Sequence, residues 1–158
     1  MKKYEFTGET KRVELWNRTA TLHRIKATVE FGFVKVGELG GWIEKEENLS
    51  HEGKAWVCDD AEVCDDAKVW GNAKVCGDAE VFLASHVLVM GSVGSRNDFT
   101  TFFRDKDNEI TVKCGCFLGK IDKFLEKVTQ THGNNKYALV YRAAVEVAKL
   151  QIELTERK

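Results

Sequence analysis

No apolar run in this 158-residue sequence is long enough to cross a bilayer, so the sequence offers no transmembrane helix. The first residues, Met1-Lys-Lys-Tyr-Glu-Phe-Thr-Gly8, lack the apolar core of a secretory signal, and the expectation is a cytoplasmic protein. A basic excess is also missing. Lys and Arg total 24 against 25 for Asp and Glu, and no basic stripe is interleaved with aromatics, which excludes a general binder of nucleic-acid polymers. Five cysteines, an odd number, suit a reducing compartment better than a disulfide framework. There is no Gly-rich phosphate loop, nucleophile elbow, paired-carboxylate motif or zinc spacing. No catalytic residue, metal or cofactor is therefore expected, and a binding protein is favoured over an enzyme.

What is present is periodic. Val57, Val63, Val69, Val75, Val81, Val87 and Val93 recur at every sixth position. Two residues before each stands a small side chain: Ala55, Ala61, Ala67, Ala73, Ala79, Ser85 or Gly91. Turn formers such as Asp59-Asp60, Asp65-Asp66, Gly71-Asn72 and Gly77-Asp78 fill the intervals. A strict period of six does not fit a helix face, which repeats near 3.6 residues. Short strands turning at every hexad fit it.

This pattern resembles the hexapeptide-repeat family, and the resemblance implies a left-handed parallel β-helix over residues 43–94 with three hexads per coil. Residues 18 apart then stack about 4.8 Å apart, Val57 with Val75 and Val93, and Val63 with Val81. The stretch Val36-Gly-Glu-Leu-Gly-Gly-Trp-Ile-Glu44, with Glu47-Asn-Leu-Ser50, is similar to the start of bacterial and phage members of that family. The expected fold is mainly β: a β lead-in over 1–42, the β-helix over 43–94, and an α+β module over 95–158. In that module Phe99–Arg104 and Glu109–Phe117 read as a hairpin. Helices follow from about Lys120 to Gln130 and from about Asn135 to Leu154, separated by His132-Gly-Asn-Asn135. The module resembles one found on phage and prophage proteins. Hexapeptide-repeat relatives further imply a homotrimer.

Charge is unevenly placed. Residues 1–42 hold 8 basic and 5 acidic groups, residues 43–94 hold 4 and 11, and residues 95–158 hold 12 and 9, for nets of +3, −7 and +3. An anionic partner is expected at the ends of the molecule rather than along its middle. The candidate ligand-binding cluster accordingly lies after the repeats. Arg96 and Arg104 offer planar forks for phosphate or carboxylate, and Asn97, Thr100 and Thr101 add neutral donors. His132 and Lys136 flank a helix start where an anion can dock, and Tyr137 and Tyr141 offer rings for stacking. The plainer reading of the same stretch has Arg96 and Asn97 capping the last coil while Thr and Phe alternate on a hairpin.

Other clusters carry less. Cys58 and Cys76 stand one coil apart, a pair that suits a soft metal or oxidation, but Trp70 and Phe82 occupy equivalent positions and no further ligand completes a tetrahedron. Cys114-Gly-Cys116 is as well explained by packing. His51 and His86 lie in or beside the repeats, where the resemblance suggests a general base for acyl transfer from coenzyme A. The short repeat run, the absence of a long loop and the acidic repeat surface oppose that. The favoured expectation is thus an oligomeric, non-enzymatic protein that captures a small anionic, nucleotide-like ligand, with no membrane partner. The phage setting implied by the resemblance makes that ligand a host-defence second messenger to be sequestered in the bacterial cytoplasm. An acyltransferase and a structural or protein-interaction module are the alternatives.

Overall fold

Residues 2–95 and 98–154 are described by a computed structural model. Its first element is a long hairpin, β1 (Tyr4–Glu14) and β2 (Thr19–Ala27), paired antiparallel. Ala20 and Leu22 face one interior and Ile25 and Ala27 another, so the inward alternation along β2 changes face. The break coincides with a register shift between Arg24 and Lys26, where a bulge re-aims the side chains. Strand β3 (Leu39–Ile43) pairs antiparallel with β2.

The periodic segment then supplies four strands of two residues each: β4 (Trp56–Val57), β5 (Glu62–Val63), β6 (Lys74–Val75) and β7 (Glu80–Val81). β5 lies parallel between β3 and β7, and β4 pairs parallel with β6. Val57 is level with Val75 and Val63 with Val81. Val57, Val63, Val69, Val75 and Val81 are all fully buried beside Ala55, Ala61, Ala67, Ala73 and Ala79. Left-handed backbone recurs at Gly53, Asp59, Asp65, Gly71 and Gly77, again every sixth residue. Gly and Asp tolerate that region best, which explains the residue types at the turns. At Gly53 a Cβ would come within 2.7 Å of the Gly71 carbonyl, so adjacent turns approach too closely for a side chain.

These pairings do not make the left-handed parallel β-helix expected over 43–94, and the family resemblance that implied it is overturned with it. The described strands form a five-stranded mixed sheet, ordered β1-β2-β3-β5-β7, a two-stranded parallel pair, and a four-stranded antiparallel sheet. Among the described residues no parallel β-helix solenoid is present. The departure is clearest at β8 (Val87–Val93), which leaves the repeat and runs antiparallel to β9 (Asp98–Arg104). Val93 therefore lies opposite Asp98 and not above Val75. The physical reason lies at the edges. A sixfold spacing sets which side chains point inward, but an open strand edge takes whatever backbone reaches it. β2 covers β3, and the Ala79–Asp105 bridge with the Lys106 amide on the Asp78 carbonyl covers the other end.

β9 continues into β10 (Ile110–Cys114) and β11 (Phe117–Lys120). The single returning strand expected over 109–117 is thus split by a turn at Gly115, whose φ is +56°. Helices α1 (Ile121–His132) and α2 (Lys136–Gln151) pack on this sheet through Phe124, Val128, Tyr141 and Val145 against Phe102 and Val112. The Asn135 side chain accepts the Ala138 amide, and Gly133 ends α1 with positive φ. Tyr137 is exposed, and Ala138 takes the first core position of α2.

Cys58 and Cys76 form a disulfide across 18 residues, in contrast to the all-thiol state expected from the cysteine count. A closed loop of this size restricts the unfolded chain by about 3 kcal/mol. Reduction should lower the stability measured by urea unfolding by about that amount, and equal curves with and without reductant would show that the bond contributes nothing. Val63→Ala should cost ~2–3 kcal/mol in the same assay. Trp70→Ala, at a position 62% exposed, should stay within about 0.5 kcal/mol of the parent.

Candidate functional site

Two adjoining cavities meet where Asp98 and Gly115 line both. The first, about 340 Å³, lies between the Gly32–Phe33 turn, the repeat turns and the β9–β10 strands. Three lysines reach it from three parts of the chain: Lys54, Lys74 and Lys113. Their convergence follows from backbone pairing. Lys74 is level with Trp56 on the β4–β6 pair, while the amide of Lys54 donates to the Gly71 carbonyl at 3.1 Å. The amide of Lys74 donates to the Thr101 hydroxyl at 3.0 Å, which ties β6 to β9. Lys113 lies opposite Thr101 in the β9–β10 ladder.

Among the described residues no carboxylate forms an ion pair with these ammonium groups. Lys74 Nζ rests 5.1 Å above the Phe33 ring, and Lys113 Nζ donates to the Gly115 carbonyl at 2.8 Å. Phe33 is 90% exposed, held at the rim by a tight turn in which Phe31 and Val34 bridge and Gly32 has φ +52°. Phe99 lines the far wall, and a Cβ at Gly91 would overlap its ring. Cationic groups, exposed aromatic faces and the Asn72 amide can together hold an anion that carries a ring.

The second cavity, about 290 Å³, is more apolar and is lined by Phe117, Phe124, Tyr141, His132, Lys127 and the two thiols Cys114 and Cys116. His132 stacks on Tyr141, with ring centroids 6.0 Å apart, and touches Tyr137. The Thr100 hydroxyl donates to Cys114 Sγ at 3.3 Å.

The residues singled out in the sequence are distributed around this double cavity. Thr101 lines the first part, and His132 and Tyr141 line the second. Thr100 is fully buried behind the wall, whereas Lys136 and Tyr137 sit exposed at the start of α2. Arg104 is elsewhere: 3% exposed, its guanidinium 5.0 Å from the Phe82 ring and 3.8 Å from a Glu80 carboxylate oxygen. Arg96 and Asn97 lie outside the described residues. Lys54, Lys74 and Lys113 escaped the sequence reading, because the first two belong to the block of net charge −7. The signal that finds those two is the eighteen-residue spacing, which sets Lys54 beside Asn72 and Trp56 beside Lys74.

Neither histidine near the repeats is placed for acid–base chemistry on a substrate. His86 is fully buried, and its Nδ1 accepts the amides of Phe82 and Leu83 at 3.0 and 3.1 Å. His51 accepts the Lys3 amide at Nδ1, meets Glu46 at 2.9 Å and stacks on Tyr4. The one group of three metal-type donors among the described residues, Cys58, Asp59 and Cys76, has its sulfurs joined in the disulfide. No described helix is long and apolar enough to cross a membrane. Neither a protein-family model nor a curated protein sequence matches this chain.

Burial and the nearby Arg104 charge push the His86 imidazole down to about 4 from its ordinary 6.5. The unfolded chain takes up this proton first, so the stability His86 confers is whole above about pH 6.5 and is lost as pH falls towards 4. An NMR titration should place the His86 midpoint near 4. A midpoint near 6.5 would contradict the buried, neutral ring.

Proposed function

We propose that this protein binds a small, ring-bearing anion of nucleotide type in the double cavity and does not turn it over. The observation that carries this reading is the convergence of Lys54, Lys74 and Lys113 on one cavity whose rim bears Phe33 and whose wall bears Phe99. Lys74 rests on the Phe33 ring and Lys113 on the Gly115 carbonyl, neutral partners that a phosphate oxygen can replace with a stronger charge-assisted hydrogen bond. Acyl transfer finds less support, since His86 is buried and both of its backbone donors converge on one ring nitrogen. The neighbouring second cavity suits the base or sugar of such a ligand, with Tyr141 and His132 as stacking surfaces.

Thermal unfolding in the presence of cyclic dinucleotides, ADP-ribose, coenzyme A and inorganic pyrophosphate tests this. A ligand at about 100 times its Kd adds about 2.7 kcal/mol. That raises Tm by roughly 5–10 °C for a chain of this size. Lys74→Glu and Lys113→Glu should each abolish the shift, while Lys68→Glu, on an exposed position outside the cavity, should keep it. A shift that survives both cavity substitutions would move the site elsewhere, and consumption of the nucleotide during incubation would make the protein an enzyme.

A further inference from the structure

Helix α2 carries two apolar seams where a surface helix normally carries one. The inner seam, Ala138, Tyr141, Val145 and Ala148, is buried against α1 and the four-stranded sheet. A second seam, Val140, Ala143, Val147 and Leu150, repeats the same spacing of three and four residues on another face. Leu150 is 88% exposed and Val147 44%, with Leu139, at 61%, beside them. Val140 is half-buried, and Ala143, Val147 and Leu150 are exposed among the described residues.

We infer that the second seam is a self-association surface, on which α2 of a second copy of this chain docks. Three observations favour that occupant. The spacing of three and four residues is that of helices meeting along a continuous knobs-into-holes contact, which suits a helix as partner. The area is sufficient. At the usual accessible areas of extended Leu and Val residues the exposures of Leu139, Val147 and Leu150 amount to about 330 Å² per copy, and with exposed Ala143, half-buried Val140 and the stems of Glu146 and Lys149 a pair removes about 1,000 Å², the lower bound for a specific interface. Charges of both signs flank the seam, Lys136, Glu146 and Lys149 on the helix and Glu153 just past its end, while Arg142 is turned away onto Thr129, Gly133 and Asn134. An anionic membrane surface selects for a consistently basic polar face, which this helix lacks.

Ala143 and Val147 leave room where Leu150 fills it, so two copies of the seam can interdigitate large against small. The surface is distinct from the lysine cavity and does not depend on what that cavity binds.

Sedimentation equilibrium over a wide concentration range tests the inference on the full chain, whose mass is 17.9 kDa. The apparent mass of the Val147→Glu/Leu150→Glu variant should be half that of the parent at the highest concentration. Both positions are exposed, so far-ultraviolet circular dichroism should show unchanged helix content. Should the double variant lose helix, Leu150→Lys alone provides the same comparison at the more exposed position. A parent that stays at 17.9 kDa throughout, or a variant with the parent's mass, overturns the inference. Co-sedimentation of monomeric parent with phosphatidylcholine vesicles, lost in the variant, would also overturn it by assigning the seam to lipid.

Discussion

Backbone pairing between residues eighteen positions apart is the constraint on which the rest of this molecule depends. It sets Val57 beside Val75 and Val63 beside Val81, and it brings Cys58 within bonding distance of Cys76. The same spacing aligns the two turns from which Lys54 and Asn72 reach the cavity, and the β4–β6 pair from which Lys74 does. A strand of two residues buries too little to stand alone, and only the pairing of successive turns makes a continuous apolar interior. Thr101 then transfers that order to the antiparallel sheet, because its hydroxyl takes the Lys74 amide that no β4–β6 bond uses. A fault in the stack would therefore reach the cavity before it reached the helices.

The inward-facing residues were legible because they obey a rule of period. Valine every sixth residue with alanine two before it is satisfied by burying both columns, and both are buried from Ala55 to Val81. The turn chemistry was legible too, since Asp59, Asp65, Gly71 and Gly77 occupy the left-handed backbone that such residues tolerate. What the period does not encode is the fate of the edges. Val87 and Val93 keep the spacing perfectly, yet they belong to a strand paired antiparallel with β9. Their partners, Phe103 and Asp98, lie beyond the repeat and carry no periodic signal, so the extrapolation to a parallel β-helix failed there. Helix faces fared better because α2 obeys its own period.

The site was only half legible for a related reason. Tyr141, His132 and Thr101 stood out by residue type and do line the cavities. Arg104 stood out by type as well, yet its guanidinium is spent on Phe82 and Glu80 in the interior. An arginine in a strand is as well suited to a buried ion pair as to a ligand, and sequence alone does not separate the two. Net charge over a block misled in the opposite direction. Eleven carboxylates within residues 43–94 mask four basic groups, but carboxylates on solvated turns and lysines in a recess do not act on a ligand equally. Screening by water weakens the former, while the walls of a cavity focus the field of the latter.

Asp98 sharpens what kind of anion the proposed site would accept. Asp98 lines both cavities at their junction, its Oδ1 accepting the Phe99 amide at 2.8 Å, with the three lysines on one side and Lys127 with His132 on the other. A ligand with charge spread evenly along its length would place an anionic group against Asp98 and be repelled. One with phosphate at the lysine end and hydroxyl or amino donors in the middle would satisfy both, the donors meeting the carboxylate. A sugar or a base edge supplies such donors, whereas a simple polyanion supplies none. At the proposed site one acidic residue in a basic recess would thus favour a nucleotide-like ligand over anionic charge alone, which pyrophosphate and ADP-ribose, tested side by side, would distinguish.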